Sequence, residues 1–226
     1  MGRWTAILGI ALLVAGCATT GSGDDKASQR MESIRDLAKR TLVKVMIKAK
    51  KNQTIDPETS SYDNNLIELI AGGGRLYGTG FVLTKEGLTV VSDPRIMEKD
   101  IERIEVTTFD GKSYRARPVA ITSRAPGLVL KLEGEVSGFG DLNLAHTKEL
   151  AFGDRLFSAG LDLVEDVVTL SVGGGGITTV VSDGTVDIGG GPQMMFDEEG
   201  TPIGIVLDEG GGAFGVTRHL FWKLSE

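Results

Sequence analysis

Two histidines, His146 and His219, and one cysteine, Cys17, are the only imidazoles and the only thiol in the chain. A serine that attacks a carbonyl needs a neighbouring base to take its proton, so the two histidines bound what hydrolytic chemistry is open. His146 lies in Leu144-Ala145-His146-Thr147, a polar turn after an apolar run, and His219 lies in Arg218-His219-Leu220-Phe221-Trp222. Both read as solvated or capping side chains, because a working imidazole needs a specific charge partner. Ser92, Ser158 and Ser182 are alternative nucleophiles that would need an unusual base. Asp93, beside Pro94, has a carboxylate to offer but reads as a turn residue before proline. Two distant histidines and one cysteine make no zinc set. The glycine runs at 173–176 and 210–212 lack the lysine and hydroxyl of a phosphate loop. No metal and no cofactor is expected.

The elements that would position such groups are mostly strands. Thr41 to Lys50 places Val43, Val45, Ile47 and Ala49 on one face of a strand. Further strand segments are predicted at 76–83, 88–92, 102–108, 113–122, 127–132, 141–145, 154–159, 166–172, 177–182, 192–196, 202–207 and 213–217. Lys85-Glu86-Gly87, Asp110-Gly111, Asp183-Gly184 and Glu199-Gly200 separate several of them, and Asp-Gly suits the positive-φ positions of a tight hairpin. Gln29 to Arg40 reads as a short helix, with Met31, Ile34, Leu37 and Ala38 at helical spacing. Residues 51–74 read as one long loop, of the kind that is functional or mobile. The chain has 32 glycines in 226 residues, about twice the usual ~7%. Its apolar share of 41% is enough for a real core. These features together predict an all-β fold of two small packed antiparallel barrels. The net charge is −7, from 24 basic and 31 acidic residues, with no basic block. That argues against nucleic acid as a partner.

The amino-terminal segment reads as a targeting signal. Arg3 supplies positive charge, and Ile7 to Ala15 is apolar but too short to span a bilayer. It ends in Leu13-Val14-Ala15-Gly16-Cys17, which resembles the bacterial lipoprotein signal, and this implies lipidation of Cys17 and attachment to a lipid bilayer. An ordinary secretory signal with an incidental cysteine is the other reading. Ala18 stands where an aspartate would favour inner-membrane retention, so the resemblance implies the outer membrane, facing the periplasm of a Gram-negative bacterium. Residues 18–28 are small and polar and read as a tether. The chain is thus divided into a signal at 1–16, the lipidated cysteine and tether at 17–30, and a globular domain at 31–226.

Gly78-Thr79-Gly80-Phe81-Val82-Leu83, Phe109-Asp110-Gly111-Lys112-Ser113-Tyr114, Gly127-Leu128-Val129-Leu130-Lys131-Leu132, Gly153-Asp154-Arg155-Leu156-Phe157 and Ala213-Phe214-Gly215-Val216-Thr217 follow one another across about 75–220. In sequence and in order they resemble pieces of one family, the trypsin-like serine proteases of the HtrA/Deg type. The segment Asp187-Ile188-Gly189-Gly190-Gly191-Pro192 is similar to its G-N-S-G-G-P. On this resemblance the nucleophilic serine falls at Gly189, the histidine at Pro94 and the aspartate at Pro126. None of the three side chains can do triad chemistry. Asp187 falls on the first glycine of that motif and would bring a carboxylate toward the oxyanion pocket. Gly190-Gly191-Pro192 then reads as support for the fold.

The resemblance implies a pseudoprotease: a membrane-anchored binding or scaffold component of the cell envelope, whose partner is an extended peptide or another envelope protein. A cleft that survived would be lined by Gly190, Gly191, Phe214, Gly215 and Val216. No PDZ domain follows within residues 31–226. Two other readings stand beside this one: an active trypsin-like endopeptidase with a non-standard site, and a structural lipoprotein that docks through residues 51–74.

Overall fold

A computed structural model of the chain describes residues 23–51, 55, 62–92, 94–121, 127–143, 155–164, 167–176, 179–180, 186–187 and 192–207. Six strands form a closed barrel: β1 (Leu42–Ala49), β2 (Arg75–Val82), β3 (Leu88–Ser92), β4 (Ile101–Thr108), β5 (Ser113–Ile121) and β6 (Gly127–Leu132), in the order β1-β2-β3-β6-β5-β4. Every pairing is antiparallel. The period of two decides which residues fill the barrel. Val43, Val45, Ile47 and Ala49 of β1 point inward and pack with Val82, Val91, Ile104, Val106, Leu128 and Leu130. Gly80 keeps the wall close, since a Cβ there would stand 2.6 Å from a methyl of Val45.

Residues on the opposite faces of the same strands form a second core. Leu42, Phe81, Val90 and Val129 point out of the barrel and pack against Ala159, Met194, Phe196 and Ile205 of a second sheet. That sheet holds β7 (Arg155–Val164), β8 (Val167–Gly176), β11 (Gln193–Phe196) and β12 (Pro202–Val206), in the order β12-β11-β7-β8. A short ribbon pairs β9 (Thr179–Val180) with β10 (Val186–Asp187). The four-stranded order repeats the order β5-β4-β1-β2 of the closed barrel, strand for strand. Among the described residues the second sheet is open. The strand expected at 213–217 lies outside them.

Helix α1 (Gly23–Thr41) seals this second core. Ile34 and Ala38 are fully buried there, with Met31 and Leu37 beside them, as their spacing predicts. The helix begins six residues before the expected Gln29, because the polar stretch 23–28 has no proline to stop it. Lys39 and Arg40 close its last turn, where cations suit the helix dipole.

Two other expectations need correction. Residues 51–74 are not all loop, since α2 (Asn64–Ala71) forms within them. The Asp63 carboxylate caps it by accepting the Leu66 N–H at 2.8 Å. Ile70 is fully buried in the barrel core, with Leu66 and Leu69 packed beside it. Residues 141–143 are not a strand. They are held by single bonds, Leu142 N–H to the Leu83 carbonyl at 2.8 Å and the Lys85 N–H to the Asp141 carboxylate at 3.0 Å, and no ladder forms.

The hairpin glycines behave as their turns require. Gly111 and Gly200 have φ of 83° and 85°, and each donates to the carbonyl three residues back. Both follow the three-residue hairpin pattern that needs a left-handed residue.

Candidate functional site

The strands of the barrel deliver three of their connections to one rim. β1 ends there and β2 begins, β3 ends and β4 begins, β5 ends and β6 begins. Ser92, the last residue of β3, pairs with Gly127, the first of β6. Pro94 is two residues past one member of that pair, and Pro126 is one residue before the other. The register therefore sets the end of β3 opposite the start of β6 at one point of the rim. Pro94 is half-buried, and Arg95 after it has φ of 56°, an uncommon conformation for a residue with a side chain. Ile96 turns into the barrel core.

A phenol holds this connection in place. The Tyr62 hydroxyl donates to the Asp100 carboxylate at 2.7 Å and accepts the Met97 N–H at 2.8 Å. Asp100 closes a single 3₁₀ turn (Glu98–Asp100) and is 2% exposed. Its backbone carbonyl accepts the Lys50 N–H at 2.9 Å, which ties the turn to the end of β1. Burial pushes the Tyr62 phenol above the ordinary tyrosine value, and the bond to the Asp100 carboxylate pushes the same way. The Met97 N–H opposes both. The phenol therefore stays protonated at neutral pH and serves as a brace. The Tyr62–Asp100 pair was not singled out from the sequence. The signal that leads to it is the capping Asp63 followed by Leu66, Ile67, Leu69 and Ile70 at helical spacing, which fixes the segment beside Tyr62 on the rim.

The remaining expected site residues are distributed as follows. Ser92 and Ser158 are half-buried at the end of β3 and within β7. Pro126, Gly189, Gly190, Gly191, Phe214, Gly215, Val216, Cys17, Asp93, Ser182, His146 and His219 lie outside the described residues. Asp187 is described in its backbone, which pairs with Thr179. The strand that follows the serine place is firmly seated, with Met194 and Phe196 of β11 fully buried against the barrel. Gly160 leaves room for this entry, since a Cβ there would stand 3.2 Å from the Pro192 carbonyl oxygen. Among the described residues no group of three His, Cys, Asp or Glu side chains could hold a metal.

No family model matches the chain. The chain is 26% identical over 153 residues to a probable periplasmic serine endoprotease, DegP-like, of Chlamydia trachomatis. The match covers 62% of this chain and 30% of that protein, so the chain spans under a third of its relative's length. This distant similarity supports a trypsin-like, HtrA-type relationship. The mostly β structure with its closed six-stranded barrel is consistent with a trypsin-like fold. The relative is described as periplasmic. Among the described residues no helix is long and apolar enough to cross a membrane.

Proposed function

We propose that this chain is a trypsin-like domain that holds a protein or extended peptide in the cell envelope and does not cut it. The observation that carries this reading is the pairing of Ser92 with Gly127. On the resemblance, the histidine and aspartate places lie in sequence just beyond the two members of this pair, where a protease would need them together, and the sequence puts proline at both. A pyrrolidine ring that is part of an amide neither takes a proton nor orients a base. Gly189, at the serine place, has no oxygen to attack with.

The repeated strand order supports a second barrel. In it, residues 213–217 would lie between β9 and β12, as β6 lies between β3 and β5. Phe214, Gly215 and Val216 would then offer backbone groups to an extended peptide by strand addition, next to Gly190 and Gly191. The apolar run ending at Cys17 supports a lipid anchor, on the outer membrane facing the periplasm. An extended casein-derived peptide titrated into the purified chain tests the binding role. Saturable binding in the micromolar range is expected, and no binding at that sensitivity would overturn it. Palmitate labelling of the wild-type chain, lost in Cys17→Ser, is expected for the anchor.

A further inference from the structure

Five cations far apart in sequence form one row on the barrel wall. Lys48 of β1 pairs with Arg75 of β2 on one side and with Arg103 of β4 on the other. The β4–β5 register pairs Ile104 with Ala116, and one residue further it sets Arg103 opposite Arg117. Arg117 in turn pairs with Lys131 of β6. The row Arg75–Lys48–Arg103–Arg117–Lys131 thus crosses five neighbouring strands, spaced about 4.8 Å apart. All five stand on the outward face, since Ile47, Ile104, Leu130 and Leu132 beside them point into the core. Arg75, Arg103 and Arg117 are exposed.

Like charges set directly opposite across strands destabilise a sheet. Part of the charge is answered locally: Lys48 meets the Glu102 carboxylate at 2.6 Å, and the Lys131 ammonium donates to the Glu86 carbonyl at 2.5 Å. The row also stands against the balance of the whole chain. Residues 1–132 carry 20 basic and 15 acidic side chains, whereas residues 133–226 carry 4 basic and 16 acidic. The basic excess thus falls in the half of the chain that supplies all six strands of the closed barrel.

From the row, the basic excess of the barrel-forming half and the apolar side chains at the row's border, we infer that the β1–β4–β5 wall of the barrel docks on an anionic phospholipid bilayer. Cations near such a surface are attracted to its headgroups. Exposed apolar side chains favour a bilayer over nucleic acid or an acidic peptide. Val119, at the bulge that follows Arg117 on β5, is 42% exposed. Tyr77 lies two residues beyond Arg75 on β2, is 44% exposed, and has the Lys44 ammonium 4.7 Å from its ring centroid. Aromatic and aliphatic side chains edged by lysine and arginine suit the boundary between headgroups and acyl chains.

The inference stands independently of the peptide-binding reading and is tested without a peptide. The full chain carrying Cys17→Ser is mixed with vesicles of phosphatidylcholine alone or of phosphatidylcholine with phosphatidylglycerol. Binding is measured by flotation at low and high salt. The ratio of the two affinities cancels uncharged contributions from the amino-terminal apolar run. The chain is expected to prefer the anionic vesicles at low salt and to lose the preference at high salt. Arg103→Gln with Arg117→Gln is expected to cut the preference about thirtyfold, from roughly fivefold per basic residue near the surface. Lys85→Gln with Lys112→Gln removes the same charge away from the row and is expected to leave the preference unchanged. Equal binding to both vesicles would overturn the inference. So would a preference untouched by the arginine changes, or one lost equally with the lysine changes. Loss of binding to duplex DNA with no change toward vesicles would assign the row to nucleic acid instead.

Discussion

At the residue scale, the phenol of Tyr62 braces the rim of the barrel. It carries the 2.7 Å bond to a carboxylate that is 2% exposed and anchors the Met97 N–H as well. Tyr62→Phe removes one partner from that buried carboxylate and is expected to lower stability by about 1.5–3 kcal/mol, read by urea unfolding. The phenol has its pKa raised on folding, so protonated Tyr62 contributes stability below the ordinary tyrosine value near 10. That contribution is lost as pH rises through the folded value. Wild-type stability is therefore expected to fall in the alkaline range above about pH 10, and Tyr62→Phe is expected to lack that part of the fall. Thr89 offers a contrast. It is fully buried on β3 and its hydroxyl has no hydrogen-bond partner among the described residues. Thr89→Val keeps the shape and removes the orphan, so thermal or urea unfolding is expected to show a gain of about 1 kcal/mol.

At the scale of elements, α1 joins the barrel to the second sheet. Ile34 is fully buried between them, and the backbone of Gly200 sits so near that a Cβ there would be 3.5 Å from the Ile34 side chain. Ile34→Ala is expected to cost about 2–5 kcal/mol by urea unfolding. The helix was legible because Met31, Ile34, Leu37 and Ala38 keep a single face. The strands of the barrel were legible from β1, whose inward residues alternate without exception from Val43 to Ala49, and from Asp110-Gly111, which had to turn. Helix α2 was harder to read because Asn64 and Asn65 open it in a polar run, and one turn of apolar residues resembles a strand as much as a helix. The cation row was not legible at all. Lys48, Arg75, Arg103, Arg117 and Lys131 are scattered along the chain, and only the register brings them side by side. The same holds for the rim, where the register sets Ser92 opposite Gly127.

At the scale of the molecule, the closed first barrel and four strands of matching order beyond it are consistent with a trypsin-like framework. The proposed loss of chemistry is spread over three places, which bears on what a single repair can do. Gly189→Ser supplies a hydroxyl without a base or an orienting acid, so no cleavage of casein above background is expected from that variant. The most direct test is to label the purified wild-type chain with a fluorophosphonate probe and map any modified peptide by mass spectrometry. A chain that holds without cutting leaves every serine unlabelled. Stoichiometric labelling at one serine, whether Ser92, Ser158 or Ser182, would reveal an activated nucleophile and contradict the account.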